Sequence, residues 1–365
     1  MIDIGIIGGG LIAQVEHLPN LLNLPALFRV RGLADPSAKV RAHIAQRWGV
    51  PTFATAGEIF EQKLDAVLIA TPDSYHADLA VEALGLSLHV FCEKPLCYFP
   101  ADAVRVAAAR DKAKRVMQVG YMKRFDPSWR LLRDLVRDFG RHLRMVSVEV
   151  NDPDSWPFTA HRDFLAGDDV APELIAEGQK RRADQIARAL GRPATPAEIK
   201  GFAGPYCSSM VHDVNLVHGL LDAMGVGTGE VTGAAVYAGG AGGHGAVRLT
   251  PHDGLWSVFH LAVPNLADYL ERVTLYFNDR IYELEFPSPY LNHQQTRLIE
   301  RRSTGHHAET ILHRASYKEA FVEELRAFAA AVAGEAPPEN PVEDAVRDMT
   351  LLGKFGRRAF GIEAV

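Results

Sequence analysis

Apolar residues run in short blocks through the first third of the chain and alternate with polar ones through much of the last third. The opening "MIDIGIIGGGLIAQ" sets an apolar run, Ile2 to Ile7, against a glycine cluster and then a segment able to form a helix to about Leu24, which predicts strand, tight turn and helix. Further blocks at "FRVRGLADPS", "LDAVLIATP" (64–72), "LHVFCEKP" and "RVMQVGY" (115–121) alternate with helical spacing at about 77–84 and over "PADAVRVAAARDKA". Buried apolar strands alternating with helices predict a parallel, doubly wound sheet. Beyond residue 225, "EVTGAAVYA", "HGAVRLT", "LWSVFHLAV", "ERVTLYFN" and "RIYELEFP" are β-rich runs parted by Gly, Pro and Asn-Asp turns, as in an antiparallel sheet. "AGGAGGHG" (238–245) reads as a flexible hairpin loop, and helices are expected at about 316–334 and 342–360.

Within the first turn Gly8, Gly10 and Ala13 fit Gly-x-Gly-x-x-Ala: one glycine for the turn, one to admit a pyrophosphate to the backbone, one small residue to let helix and strand approach. A helix N-terminus there offers N–H groups to phosphates. Asp35 ends the second strand, where an acidic side chain accepts hydrogen bonds from an adenosine ribose and repels a 2′-phosphate, so NAD is expected in preference to NADP. Ser37 and Lys39 nevertheless offer a hydroxyl and an ammonium able to hold a phosphate. Ligands of such sheets lie beyond the carboxyl ends of strands, where Thr71-Pro72 and Glu93-Lys94-Pro95 fall.

The segments "GGGLIA", "DAVLIATPDSYHADLAVEAL", "HVFCEKPL" and "VGYMKRFDPSW" make the chain resemble the Gfo/Idh/MocA family of oxidoreductases. The resemblance covers most of residues 1–130. It implies a Rossmann domain (1–123) followed by an α/β domain (124–365) with a large open antiparallel sheet, one face covering the nicotinamide and the other commonly joining subunits into a homo-oligomer. It also implies cofactor contacts from Gly8, Gly10, Leu11, Ile12, Ala13, Asp35, Thr71, Pro72, His76, Glu93 and Lys94. In relatives the lysine matching Lys94 lies beside nicotinamide and substrate hydroxyl, where burial and a cationic ring would bring its ordinary pKa of about 10.4 down toward proton-relay range. Tyr121 and Arg124 enter the second domain where relatives direct groups to substrate hydroxyls.

The family also carries an Asp, a His four residues on and an Asp three further on one helix; here those positions are Ser208, His212 and Asn215. Both carboxylates are replaced by neutral groups, so His212 and Lys94 are expected to lean toward proton-accepting states. Asp213, next to His212, is expected to point to another side of the helix. A helical insertion at about 152–203 departs from the pattern as well, with Ala183, Ile186, Ala187 and Leu190 at helical spacing and a capped segment from Thr195. It reads as a lid or an oligomer contact. Asn151, Trp156 and His161, ahead of that helix, are candidates for the floor of a sugar pocket.

Composition narrows the classes. Among 365 residues 47% are apolar and 23% charged, with a net charge of −6 that gives no broad attraction to nucleic acid. Apolar segments are shorter than the roughly 20 residues of a membrane span, and the N-terminus reads into a strand instead of a cleavable signal, so a cytoplasmic protein is expected. Three cysteines lack zinc-site or disulfide spacing, and His306, His307 and His313 read as a solvated loop and helix start, so no metal is expected. The expected activity is hydride transfer between NAD(P) and a secondary alcohol of a sugar, glycoside or cyclitol, with Lys94 and His212 catalytic. Alternatives are a cofactor-retaining glycoside-cleaving or dehydrating enzyme, and a non-catalytic dinucleotide-binding sugar regulator.

Overall fold

The computed structural model describes residues 1–362 apart from 154 and 252. The chain forms two compact units: residues 1–121, 159–191 and 321–349, and residues 122–158, 192–320 and 350–365. The first break falls two residues before the expected 123/124. The difference is that 159–191 and 321–349 return to the first unit, because each has apolar or charged groups that find their partners there.

The first unit is built on a parallel sheet of β1 (Ile2–Ile7), β2 (Phe28–Ala34), β3 (Thr52–Phe53), β4 (Ala66–Ile69), β5 (His89–Glu93) and β6 (Met117–Gly120) in the order β3-β2-β1-β4-β5-β6. All six residues of β1 are buried, which is why its apolar residues are consecutive instead of alternating. Its helices are α1 (Leu18–Leu22), α2 (Ala38–Trp48), α3 (Ala56–Phe60), α4 (His76–Gly85) and α5 (Pro100–Ala113). The first helix begins as a π-helix, Ala13–His17, and ends at Leu22, short of the expected Leu24. The apolar core joins Ile4, Ile6, Leu33, Leu68 and Phe91 to Leu325 and Phe328 from a helix near the end of the chain. Full burial of such side chains contributes about 1.5–3 kcal/mol each.

The second unit holds β7 (Leu143–Asn151), β8 (Gly227–Tyr237), β9 (Gly242–Thr250), β10 (Gly254–Leu261), β11 (Leu270–Phe277), β12 (Arg280–Phe286), β13 (Arg297–Thr304) and β14 (His307–His313), ordered β14-β13-β12-β11-β7-β10-β9-β8. Neighbours are antiparallel except β7 and β10, so the large antiparallel sheet that was expected carries one parallel pair near its centre. The β13–β14 hairpin replaces the expected loop around His306, His307 and His313, and His313 Nε2 lies 3.0 Å from Glu300. Along β10 Trp256, Val258 and His260 are buried while Leu255 and Phe259 are exposed, the alternation of a sheet packed on one face.

The remaining helices are α6 (Pro127–Val136), α7 (Trp156–Thr159), α8 (Pro172–Leu190), α9 (Pro196–Gly201), α10 (Val211–Met224), α11 (Ala320–Val332) and α12 (Val342–Ala359). Asp126 caps α6 by accepting from the N–H groups of Ser128 and Trp129, and the helix buries Trp129, Leu132 and Val136. Trp129 Nε1 donates to Leu216 O of α10 at 3.2 Å. Thr195 and Glu198 form a reciprocal capping box on α9. Among the described residues no helix is long and apolar enough to cross a membrane.

Candidate functional site

In the first unit the candidate residues gather at the carboxyl ends of β1, β2, β4 and β5. Gly8 has φ +100°, and a Cβ there would lie 2.4 Å from Ala70 O, so only glycine fits this turn. A Cβ on Gly10 would meet nothing within 4 Å, leaving its backbone open to close approach by a ligand. Leu11 and Ile12 open the helix, and Ala13 is fully buried against the sheet. Gly9, which the motif passes over, is equally constrained: its Cβ would meet Val40 Cγ1 at 2.8 Å, and its N–H donates to Asp35 Oδ2 at 2.8 Å. Asp35 Oδ1 accepts from Ser37 N at 2.8 Å. Each carboxylate oxygen keeps a second lone pair for a ribose hydroxyl.

Thr71 and Pro72 follow β4. His76 fixes this loop to the next one, its ring nitrogens lying 2.7 Å from Thr71 O and 2.8 Å from Pro95 O. The Lys94-Pro95 bond is cis. Glu93 is buried and faces inward, so its contribution to a ligand site runs through its neighbours: Oε1 lies 2.6 Å from His17 Nε2, and Oε2 accepts from Lys94 N at 3.1 Å. Burial pushes the Glu93 carboxyl up, but the His17 hydrogen bond and the charges of His17, Lys94 and His76 outweigh it and hold the group below its ordinary value.

Behind Glu93 stands Glu324 of α11, fully buried, with no hydrogen-bond partner at either carboxyl oxygen. Burial first, then repulsion from Glu93 and Glu16, drives its carboxyl well above the ordinary value. His17, Glu93 and Glu324 bring one donor atom each within 4.8 Å of one another. The two carboxyls are thus pushed in opposite directions, Glu93 down and Glu324 up. Environments that push two carboxyls apart in this way are a mark of functional sites.

In the second unit Ser208 is exposed, within a π-helical stretch, Phe202–Met210, and His212, just after that stretch, is half-buried. Such widened turns recur at functional sites. Asn215 is fully buried and supports the helix from within instead of opening to solvent. Asp213 is buried beside a charged cluster. Glu271 of β11 pairs with Lys123 and accepts from Tyr269 OH, and burial, then repulsion from Glu271, raises the Asp213 carboxyl well above its ordinary value. Burial pulls Lys123 down, but Glu271 and Asp213 raise it above its ordinary value overall. Arg124 stacks 5.3 Å from the Trp129 ring and fills the space beside Gly219 of α10. Tyr121, the last residue of the first unit, is buried. Asn151 Nδ2 donates to Asp268 O at 2.7 Å at the end of β7, and Trp156 is 56% exposed.

A six-stranded parallel sheet in this order with a glycine turn after its first strand defines a Rossmann-type fold. Residues 2–121 match the Gfo/Idh/MocA family profile, described as "Oxidoreductase family, NAD-binding Rossmann fold". The rhizopine catabolism protein MocA of Rhizobium meliloti is 34% identical over 135 residues, 37% of this chain and 42% of that protein. An inositol 2-dehydrogenase of Corynebacterium glutamicum (strain R) is 32% identical over 215 residues, 57% of this chain and 59% of the relative. The chain thus spans roughly two fifths to three fifths of the length of these curated relatives. Among solved structures, a UDP-N-acetylglucosamine 3-dehydrogenase from Acidithiobacillus ferrooxidans superposes with TM-score 0.72 at 17% identity, over 99% of this chain and 98% of that one. A 3-ketoreductase from Actinomadura kijaniata, solved with NADP and TDP-benzene, gives 0.71 at 19% identity over 96% and 95%.

Proposed function

We propose that the protein is a nicotinamide-dinucleotide-dependent dehydrogenase acting on a secondary alcohol of a sugar, glycoside or cyclitol, with NAD preferred to NADP. The observation that carries it is Lys94, set at the carboxyl end of β5 directly after a buried carboxylate held ionised by His17. The relatives named for inositol dehydrogenation and rhizopine catabolism support the substrate class. Gly8, Gly10 and Ala13 receive the pyrophosphate, and Asp35 receives the ribose hydroxyls. The bound nicotinamide supplies the hydride acceptor. Lys94 Nζ takes the hydroxyl proton and returns it in the reverse direction, and His212 is a second proton-accepting group, contributed by α10.

Lys94→Ala is expected to hold NADH with unchanged affinity and to lose turnover by about 10²–10⁴-fold. Fluorescence titration and nicotinamide absorbance over a panel of polyols, sugars and glycosides check both; full turnover in the variant removes Lys94 from the reaction. A second reading, in which the dinucleotide stays bound through an oxidation and elimination cycle, is favoured by Leu165, whose backbone pairs with Gln14 beside the glycine turn. Product release with the cofactor returned to its starting state supports it. Cofactor binding without turnover on any alcohol supports a regulator.

A further inference from the structure

The inserted segment ahead of α8 does more than connect two units, because it lies across the corner of the sheet where Ser37 and Lys39 stand. Gln14 Nε2 donates to Leu165 O at 2.9 Å, Leu165 N donates to Gln14 Oε1 at 3.2 Å, and the same Gln14 amide donates to Gly9 O at 2.6 Å. Leu165 packs on the apolar core of the unit. Two residues on, Gly167 passes so close to α2 that a Cβ would lie 2.6 Å from Ser37 Oγ and 3.1 Å from Val40 Cγ2. The pair that follows reaches the two phosphate-capable groups: Ser37 Oγ donates to Asp169 Oδ1, Lys39 N donates to Asp169 Oδ2 at 3.1 Å, and Lys39 Nζ donates to Asp168 Oδ1 at 2.7 Å.

We infer that the segment 163–169 is a specificity-determining strap that closes the chain to NADP, with Asp168 and Asp169 occupying the hydroxyl, N–H and ammonium that a 2′-phosphate on the adenosine ribose would need. The inference rests on the reading of the glycine turn and Asp35 as a dinucleotide site. Asp35 reads the ribose hydroxyls, and by itself it leaves Ser37 and Lys39 free to compensate a phosphate; the strap removes that compensation. The remaining charges at the corner fit this assignment. Arg41 Nη1 donates to Asp35 O at 2.8 Å and Pro36 O at 2.9 Å, and Arg47 and His43 face Asp163 at 3.3 Å and 4.0 Å. A phosphate drawn toward Arg41 would meet Asp35, Asp168 and Asp169 together. The exposed Lys39–Asp168 pair adds little to stability, as such pairs do, so its effect belongs to recognition.

The test uses the full chain and titrates NADH and NADPH by fluorescence. The wild type is expected to hold NADH more tightly, and Asp168→Asn with Asp169→Asn, which keeps one accepting oxygen on each side chain and removes both charges, is expected to gain about ten-fold in NADPH affinity while NADH changes by no more than about two-fold. Asp168→Asn alone alters a side chain 73% exposed and leaves the Ser37 contact intact. Should the double variant fail to fold, this single variant is expected to gain about three-fold. An unchanged ratio of NADPH to NADH affinity in a variant that still binds NADH overturns the inference. A wild type that prefers NADPH also overturns it, with the dinucleotide site standing; a wild type that binds neither overturns the dinucleotide site and the inference with it.

Discussion

A carboxylate buried at the end of a central strand must be matched by a donor, and at Glu93 that donor is His17. Glu93→Ala strips His17 Nε2 and the Lys94 N–H of their acceptor and is expected to cost about 1–3 kcal/mol of stability in a urea melt at neutral pH. Glu324→Gln, which replaces a protonated acid by a neutral amide of the same shape, is expected to change stability by less than about 1 kcal/mol. A large loss in the second variant would mean that Glu324 is ionised. Lys94, Gly8 and Asp35 were legible because each sits in a contiguous motif whose spacing is set by one turn. His17 was not, since it stands 76 residues from Glu93 and nothing local marks their meeting. What Asp213 meets was not legible for a related reason: helical spacing gives the side of the helix but not what the sheet presents to it, and here β11 presents Glu271.

At the level of elements, α8 shows how charge fixes position. Its helical character was legible from Ile186 and Leu190, both fully buried, but its docking rests on Arg181 to Asp78, Arg182 to Asp73 and Arg188 to Asp102, at 2.8, 3.1 and 3.1 Å. Long-range pairs between arginine and aspartate have no periodicity to read. The arginines are 36–50% exposed, so salt should screen them. Raising NaCl to about 1 M is expected to increase hydrogen exchange over 172–190 while β1 and β4 keep their protection, measured by mass spectrometry. Equal protection at both salt concentrations would assign the docking to apolar burial alone. The β13–β14 hairpin escaped notice because its outward residues, Arg301, Arg302 and Glu309 among them, are charged and mask the alternation that marks a half-buried strand.

For the molecule as a whole, each unit contains an acid whose folded-state pKa is raised, Glu324 in one and Asp213 in the other. For a raised group the stability is fully present below the ordinary carboxyl value and is lost as pH rises through the folded one. Glu198 of α9 acts in the opposite sense, since Arg192 and the Thr195 N–H hold it down at about 2, and its contribution is lost only in strong acid. Stability is therefore expected to fall as pH rises above the ordinary carboxyl range, and Asp213→Asn to flatten that fall by up to about 1.4 kcal/mol per pH unit, as read from urea melts of wild type and variant across the range. An identical slope in the variant would show Asp213 to be ionised. The parallel, doubly wound character of the first sheet was legible from alternating blocks, whereas its membership was not: α11 joins it through Phe321, Leu325, Phe328 and Ala329, a face that would fit any apolar surface.

That membership has a consequence for the growing polypeptide. β1 shares its core with Leu325 and Phe328, which are joined more than 300 residues after it. Through most of synthesis the nascent nucleotide-binding sheet therefore has an uncovered apolar face. The last helices close the first sheet, and a chain released early would keep that face open to chaperones or to other unfinished chains.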